Sequence, residues 1–239
     1  MTLNSEFDKS IIDIKFDFHS DSKGGDPDIY SPTLKRYHKI LWSKELPNGK
    51  KINLSKKTGA YLHCEIDNVD FFLGSDAITN SYRHHKSKSW IIKEIQNDAE
   101  ELYKAGATIG AYILFPNKKI NGFQTINQVR GINRFIDDRF DLTLQCIKNF
   151  YQKIESPLYP TLSIYNEFFN LFQTFENYID FFLLNDLVDD KYNVKFFMPF
   201  SNFQTKPILT KIDDYLNYKQ EALNFINLRN KRIEKFVKS

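Results

Sequence analysis

The stretch that decides the fold is ATIGAYILFP, residues Ala107–Pro116. It is apolar on both faces, which favours a strand in the middle of a sheet with both sides covered. Two more strands are predicted at AYLHCEI and VDFFLG, with Asp67 and Asn68 as a short turn between them. Lys51–Leu54 is a candidate for a further strand. VKFFMPF, which begins at Val194, is predicted as a late strand that returns to the sheet.

An N-terminal strand is predicted from the alternation in IIDIKFDFHSD, which begins at Ile11. Its apolar residues fall on one face and its polar residues on the other, and this period of two is typical of a half-buried strand. The apolar face carries Ile12, Ile14, Phe16 and Phe18.

A helix is predicted after the turn GGDPDIYSP, residues Gly24–Pro32. Ser31 is a suitable N-cap and Pro32 suits the first helical position, so the helix runs from Pro32 to about Lys44. A second helical segment is predicted over Trp90–Lys104, ending at Gly106.

The second half of the chain is predicted to be mostly helical. Thr125 caps a segment that is either one bent helix or two helices with a break near residues 137–141. Ser156 and the prolines after it start a region whose apolar runs indicate a pair of buried helices. Thr210 with Asp213 resembles a capping box at the start of a long C-terminal helix.

Composition and element order together predict an α+β fold in one domain, residues 1–239. The chain has 239 residues, of which 41% are hydrophobic and 26% charged, which is enough to bury a core without disulfides. We expect one mixed or mostly antiparallel sheet in a strand-rich N-terminal half, with a helical C-terminal half packed on it.

Charge and cysteine content narrow the class of protein. The net charge of +3 is compatible with an anionic partner but falls short of the footprint of a dedicated DNA-binding domain. The two cysteines, Cys64 and Cys146, show no zinc-ligand spacing, so no metal site is predicted from them. The polar start MTLNSEFDKS and the lack of a run of roughly 20 apolar residues predict a cytoplasmic protein without membrane spans.

A polar stripe is predicted along the helical segment after Thr125. It would lie opposite an apolar stripe and would place two guanidinium groups beside two carboxylates. Such stripes are more often solvated helix faces with ion pairs. The alternative is an anion site in which Arg130 and Arg134 bind phosphate, Asn127 assists and Asp138 serves as a base. The polar stripe is Asn127, Arg130, Arg134, Asp138 and Asp141, and the apolar one Val129, Ile132, Ile136, Phe140 and Ile147.

The glycine-rich turn supplies a second group of candidates. Asp26 and Asp28, with His19 nearby in sequence, could ligate a divalent metal or act as acid and base, although turn-forming and capping roles are more common for such residues. His38 lies on the apolar face of its helix, where a buried histidine bonded to a carbonyl is more common than a catalytic one. Trp42 is predicted to be core. The candidates for acid–base chemistry are therefore Asp26, Asp28, His38 and Asp138.

Common catalytic motifs are missing from the sequence. GxGxxG, GxxxxGK[ST], HExxH and GxSxG do not occur. GSDAITNSYRHH, which begins at Gly74, has a Gly-Ser pair after a strand, but the second carboxylate pattern of a nucleotidyltransferase does not follow it. RHHK, which begins at Arg83, is predicted as a solvated loop. No cofactor is identified by these patterns.

Several of these runs together resemble a family of bacterial proteins that is defined only as a domain of unknown function. The runs are DPDIYSPTLKRYHKILWSKELPNG, ATIGAYILFP, TINQVRGINRFIDDRFDLTLQCI, DFFLLNDLV and KFFMPF. The resemblance extends from about Ile11 to about Ile233 and implies a single domain. It implies no activity, ligand or catalytic residue.

Two hypotheses for function follow from these patterns. The first is an intracellular protein, and an enzyme if the acid–base candidates act, with an Arg/Asp/His pocket for a phosphate-bearing ligand such as a nucleotide or RNA. It predicts that the acidic turn and the arginine-bearing helix meet in one cleft. The second is a non-catalytic interaction module of a bacterial stress or phage-defence system, with a protein partner or a second copy of the chain. It predicts an exposed aromatic patch and no such cleft.

Overall fold

The protein is an α+β structure with a small sheet in the first half of the chain and mostly helices in the second. A computed structural model describes residues 11–82, 88–207 and 209–239. Within these ranges there are three strands, all antiparallel, and ten α-helices. The predicted fold class is confirmed.

The three strands lie in the order β1-β2-β3, so β2 is central. They are β1 Leu62–Ile66, β2 Val69–Ala77 and β3 Tyr112–Pro116. Asp67 and Asn68 join β1 to β2 with φ angles of 53° and 62°, the left-handed backbone that a two-residue hairpin turn requires. The predicted turn between these strands is confirmed.

The stretch ATIGAYILFP forms β3 and the short 3₁₀ helix Ile109–Ala111 before it. Every residue of β3 is buried, but the strand lies at an edge of the described sheet, so the predicted central position is wrong. The C-terminal helix covers this region, where Arg229 donates to the carbonyl oxygens of Gly110 and Tyr112 at 2.9 and 2.8 Å. A strand that is apolar on both faces must be covered on both faces, and helices can provide that cover. It does not also need a neighbouring strand at each of its two edges.

The N-terminal segment Ile11–Asp21 contains no strand, so that prediction is wrong. It ends in a 3₁₀ helix at Phe18–Asp21. Part of its predicted apolar face is nevertheless buried. Ile12 and Phe18 are buried, and the ring centroids of Phe18 and Tyr37 lie 5.7 Å apart. The alternating pattern therefore predicted correctly which side chains are buried, and they pack against a helix. It did not predict a strand correctly, because a strand also needs the edge of a neighbouring strand to pair with.

The two other strand predictions are also wrong. Lys51 pairs with Glu45, and Val194 with Val188, only in isolated bridges. Both segments contribute buried apolar side chains without joining the sheet, among them Ile52 and Val194.

The helices of the first half follow the predicted caps. The Ser31 hydroxyl accepts from the Leu34 amide at 3.0 Å, so the helix after Pro32 is confirmed. The segment predicted over Trp90–Lys104 is two helices, and Gly106 caps the second as predicted. The bounds are α1 Pro27–Tyr30, α2 Pro32–Trp42, α3 Ser89–Glu94 and α4 Gln96–Ala105.

The segment after Thr125 is two separate helices, α5 Ile126–Ile132 and α6 Phe140–Tyr151. Of the two alternatives, the break is therefore confirmed, and the predicted continuous stripe is wrong. Asp141 is fully buried and pairs with Arg139, although it was placed on the polar stripe. Ile132, placed on the apolar stripe, is 71% exposed.

The C-terminal half packs its helices around a cluster of aromatic rings. Three short helices replace the predicted buried pair, and α10 begins where Asp214, not Asp213, accepts from the Thr210 and Lys211 amides at 2.9 and 3.1 Å. The rings include Phe168, Phe169, Phe172, Tyr178, Phe181 and Phe182. The bounds are α7 Tyr159–Ile164, α8 Asn166–Asn170, α9 Phe175–Phe181 and α10 Ile212–Lys238. Among the described residues, no helix combines the length and apolar character that crossing a bilayer would require.

Candidate functional site

A cleft of about 510 Å³ opens where α1, the end of β2, the end of α4 and the turn before α6 meet. Four aspartates from three distant segments line it: Asp26 and Asp28 at the N-cap and first turn of α1, Asp76 from β2 and Asp138 from the turn. The structure therefore brings the acidic turn and the end of the arginine-bearing segment to one place.

The start of α1 places its two aspartates at the cleft. The Asp26 carboxylate caps the helix by accepting from the Asp28 amide at 3.1 Å, which is the capping role expected of such a turn. Gly24 has a φ of 75°, a left-handed conformation that glycine adopts without strain. A Cβ on Gly25 would lie 2.4 Å from the Tyr30 ring, so this ring packs directly on the turn.

Arg130 lies behind the cleft and holds two of its carboxylates. Its side chain is 1% exposed and forms ion pairs with Asp76 and, at 3.3 Å, with Asp138. It also donates to the carbonyl oxygens of Ala77 and Asp138, both at 3.0 Å, and to the Thr143 hydroxyl at 3.2 Å. The guanidinium is thus engaged by protein oxygens, and its role in this geometry is to neutralise and orient carboxylates.

The turn that presents Asp138 has an unusual backbone. Asp137 and Asp138 both have left-handed φ angles, 51° and 57°, and such residues persist where the surroundings hold them. Asn80 donates to Asp138 Oδ2 at 3.1 Å. Tyr82 donates to the Asp137 carbonyl at 3.2 Å, and Lys88 lies 3.7 Å from the Asp137 carboxylate. These contacts hold the turn in place.

A buried histidine connects to the cleft through a serine. His38 Nε2 lies 3.0 Å from Ser75 Oγ, and Ser75 Oγ donates to Asp28 Oδ1 at 2.5 Å. The Trp42 indole donates to His38 Nδ1 at 3.0 Å. His38 is fully buried and binds a hydroxyl, not the carbonyl expected for a core histidine. It does not line the cleft itself.

The cleft carboxyl groups have perturbed pKa values for different reasons. Burial and then the negative charge of Asp76 raise the pKa of Asp28 well above its usual value, against a lowering by the Ser75 hydrogen bond. Burial raises the pKa of Asp76 to about 6, while the Arg130 charge opposes the rise. Burial also lowers the pKa of His38 to about 3, so that its ring is neutral at pH 7. Both carboxyl groups therefore have raised pKa values, but only Asp76 forms an ion pair with Arg130.

One wall of the cleft is aromatic. The His19 ring stacks on the Tyr103 ring with 4.3 Å between centroids and 25° between planes. Asp17 Oδ1 lies 2.9 Å from His19 Nδ1 and holds the imidazole in this orientation. Tyr112, from the start of β3, also lines the cleft. Three aromatic side chains therefore contribute to the lining of the cleft.

The remaining sequence candidates lie outside the cleft lining. Arg134 is exposed and its guanidinium lies 5.0 Å from the Phe135 ring centroid. Asn127 donates to the carbonyl oxygen of Ser75 at 3.1 Å, and its own Oδ1 is buried without a hydrogen-bond partner. Asn127 therefore supports the end of β2. The RHHK segment, residues 83–86, lies outside the described residues.

Sequence reasoning missed Asp76, Ser75 and Asn80. All three belong to the stretch that begins with the Gly74-Ser75 pair, and that pair was the available signal. A Cβ on Gly74 would lie 2.5 Å from the Asn117 side chain, so close packing explains this glycine. Among the described residues, no group of three or more His, Cys, Asp or Glu side chains is arranged to hold a metal ion.

A family model covers almost the whole chain. It is the family of unknown function DUF6994, and it matches residues 12–233. The chain belongs to this family. The resemblance inferred from the sequence is confirmed, and every cleft residue named above lies within the matched range. No curated protein and no solved structure matches the chain.

Proposed function

We propose that the protein is an enzyme that uses this cleft for general acid–base catalysis, with Asp28 as the acid and Asp76 as the base. The observation that supports this is the asymmetry of the two carboxyl groups. Asp76 has the Arg130 guanidinium as a countercharge, whereas Asp28 has the neutral Ser75 hydroxyl. Environments that separate the pKa values of two neighbouring acids are how enzymes assign acid and base roles.

The chemistry follows from these protonation states. Asp28 gives its proton to a leaving group as the bond to that group breaks, and Asp76 removes a proton from the attacking water or hydroxyl. The two transfers balance, and the resting state returns when one proton moves from Asp76 to Asp28 through solvent. Each such transfer contributes about 10²- to 10⁴-fold to the rate.

The lining of the cleft favours a neutral or cationic substrate with a ring. The ionised aspartates of the lining would repel an anion and would stabilise positive charge that develops in the transition state. The stacked His19–Tyr103 pair offers a surface for a ring face. Asn80 and Asp138, which are joined by a hydrogen bond, also contribute polar atoms to the lining.

The phosphate-bearing ligand expected from the sequence stays a prediction. It depended on Arg130 and Arg134, of which the first is engaged by protein oxygens and the second is exposed away from the cleft lining. The interaction-module hypothesis also stays a prediction. One observation favours it: Ile29 and Tyr30, on the same short helix as Asp28, are 65% and 57% exposed.

A ligand panel followed by turnover assays tests the proposed enzyme. The panel holds neutral glycosides, cationic amines, nucleotides, RNA and divalent metals. A ligand at about 100 times its dissociation constant adds about 2.7 kcal/mol to native stability and is detected as a thermal shift.

For a ligand that is turned over, we expect Asp28→Asn and Asp76→Asn each to lose about 10²-fold or more in kcat. The exposed Asp190→Asn serves as the matched control and retains the wild-type rate. Wild-type turnover by either cleft variant would contradict the proposal. Loss of binding on replacing Ile29 or Tyr30, with no turnover of any ligand, would favour the interaction module.

A further inference from the structure

A buried chain of hydrogen bonds ends on the proposed acid. It runs from the Trp42 indole to His38 Nδ1 at 3.0 Å, from His38 Nε2 to Ser75 Oγ at 3.0 Å, and from Ser75 Oγ to Asp28 Oδ1 at 2.5 Å. Trp42, His38 and Ser75 are 1%, 0% and 7% exposed. These three hydrogen bonds connect α2, β2 and α1, and they extend from the core to the cleft.

The directions of the first two bonds in this series are determined by the Trp42 indole, and the structure gives the third as donation from Ser75 Oγ to Asp28 Oδ1. An indole N–H can only donate, so His38 Nδ1 must accept. The neutral imidazole then carries its proton on Nε2 and donates it to Ser75. The Ser75 hydroxyl, having accepted from His38, directs its own proton to Asp28 Oδ1.

Two chemical consequences follow. The carbonyl oxygen of a carboxylic acid is its better acceptor, so with Oδ1 of Asp28 accepting from Ser75 the proton is favoured on Oδ2. Because His38 presents an N–H and not a lone pair to Ser75, it cannot remove the Ser75 proton, and Ser75 is therefore not an activated nucleophile. The arrangement differs in this way from a serine hydrolase, although it contains the same residue types.

We propose that Trp42, His38 and Ser75 are positioning residues that fix the oxygen on which Asp28 carries its proton, an inference that rests on the proposed acid role of Asp28. His38 stays in a single tautomer. The series of hydrogen bonds from Trp42 to Ser75 supplies a fixed donor to Asp28 and does not transfer protons.

Charged and titratable groups surround both ends of this chain. Asp28 faces Asp76 from β2, Asp26 at the N-cap of α1 and Arg130 from α5. Tyr61 and Tyr112 also interact electrostatically with it. His38 faces the Arg229 guanidinium from α10 and the Tyr61 ring, 6.3 Å away at the start of β1. The positive charge of Arg229 opposes protonation of His38, in the same direction as burial.

The first test reads the His38 tautomer by NMR of protein labelled with ¹⁵N-histidine. The signal is assigned by its loss in His38→Gln. We expect the neutral form with the proton on Nε2, unchanged from about pH 5 to about pH 9. In Trp42→Phe, which keeps an aromatic ring but removes the donor, we expect the second tautomer to appear. A wild-type ring with the proton on Nδ1, or one that titrates in this range, would overturn the proposal.

The second test follows Asp28 by NMR of ¹³C-labelled aspartate. Ser75→Ala should move the Asp28 titration to higher pH, because the lost hydrogen bond stabilised the carboxylate. Ser75→Thr, which keeps a hydroxyl, should restore it. Ser156→Ala is the matched control, because Ser156 lies between α6 and α7 and takes no part in these hydrogen bonds. It should leave the Asp28 titration unchanged. An unshifted Asp28 in both Ser75→Ala and Trp42→Phe would overturn the proposal.

These outcomes separate the positioning role from the enzyme itself. A single His38 tautomer and a shifted Asp28 would establish the positioning even if no ligand were turned over, and only the proposed function would then fail. Turnover that depends on Asp28, together with an Asp28 titration indifferent to Ser75 and Trp42, would keep the enzyme and remove the positioning role.

Discussion

Two buried arginines of this protein have opposite surroundings. Arg130, 1% exposed, pairs with the carboxylates of Asp76 and Asp138 at the wall of the cleft. Arg229, fully buried, donates to three backbone carbonyl oxygens at 2.8 to 2.9 Å, from Gly110, Tyr112 and Phe182. Carboxylates change charge with pH and carbonyls do not. The first arginine therefore holds groups that can titrate, and the second joins α10 to the sheet and to the end of α9.

The largest expected effect is that of Arg229→Met on stability. Three buried carbonyl oxygens lose their donor, and each unsatisfied group costs about 1–3 kcal/mol. We expect the free energy of unfolding in urea to fall by roughly 4 kcal/mol, equally at about pH 5 and about pH 8, because the three carbonyl oxygens that Arg229 binds do not titrate. A loss that depends on pH between these values would break the contrast between the two arginines.

Arg130→Met should be nearly as destabilising, but only when its carboxylate partners are ionised. Removing one member of a buried ion pair costs about 3–5 kcal/mol because the other charge is left uncompensated. Since burial raises the pKa of Asp76 to about 6, we expect a loss of roughly 3 kcal/mol at about pH 8 and a smaller one at about pH 5. Urea unfolding at the two pH values measures this difference. An equal loss at both would show that Asp76 is not the partner that matters.

Asp28→Asn should stabilise the protein at high pH, which would agree with the proposed catalytic role of Asp28. The pKa of Asp28 is raised in the folded state, so its contribution to stability is full below the unfolded pKa and is lost as pH rises toward the folded pKa. The neutral amide avoids this loss and can still accept from Ser75. We expect a gain of about 1 kcal/mol, or roughly 2–4 °C in Tm, at about pH 8 and none at about pH 4. Thermal unfolding at both pH values checks the sign, and destabilisation at pH 8 would contradict it.

The smallest expected effect is that of Arg134→Ala. This side chain is exposed and lies beside Phe135 alone among the described ring contacts, so the unfolding free energy should change by less than about 0.5 kcal/mol. The titration of Asp76 should not move, in contrast to Arg130→Met. Loss of a phosphate or nucleotide thermal shift in this variant would instead support the anion site predicted from the sequence.

The sequence predicted local structure well where caps and turns decide it. Ser31 and Thr125 begin helices, and Asp67-Asn68 forms its hairpin, because these features depend on neighbouring backbone alone. Strand predictions at Ile11 and Val194 were wrong because a strand also needs a partner that only the tertiary structure supplies. Burial could be inferred there, and pairing could not.

In the candidate site, too, the sequence predicted local features and missed those that depend on tertiary structure. Asp26, Asp28 and Asp138 could be selected from their turns, and the structure brings them together. Asp76 and Ser75 could not, because their importance depends on where the end of β2 lies relative to α1 and α5. Arg130 was placed on a solvated face or an anion site, and the break between α5 and α6 buries it instead.

The most direct measurement of the central claim is the titration of Asp28 and Asp76 in the wild-type protein, followed by NMR of ¹³C-labelled aspartate and assigned with Asp28→Asn and Asp76→Asn. The account predicts that Asp76 titrates near pH 6 and that Asp28 retains its proton well above the usual range of an aspartate. Ordinary titration of both carboxyl groups near about pH 4 would contradict it.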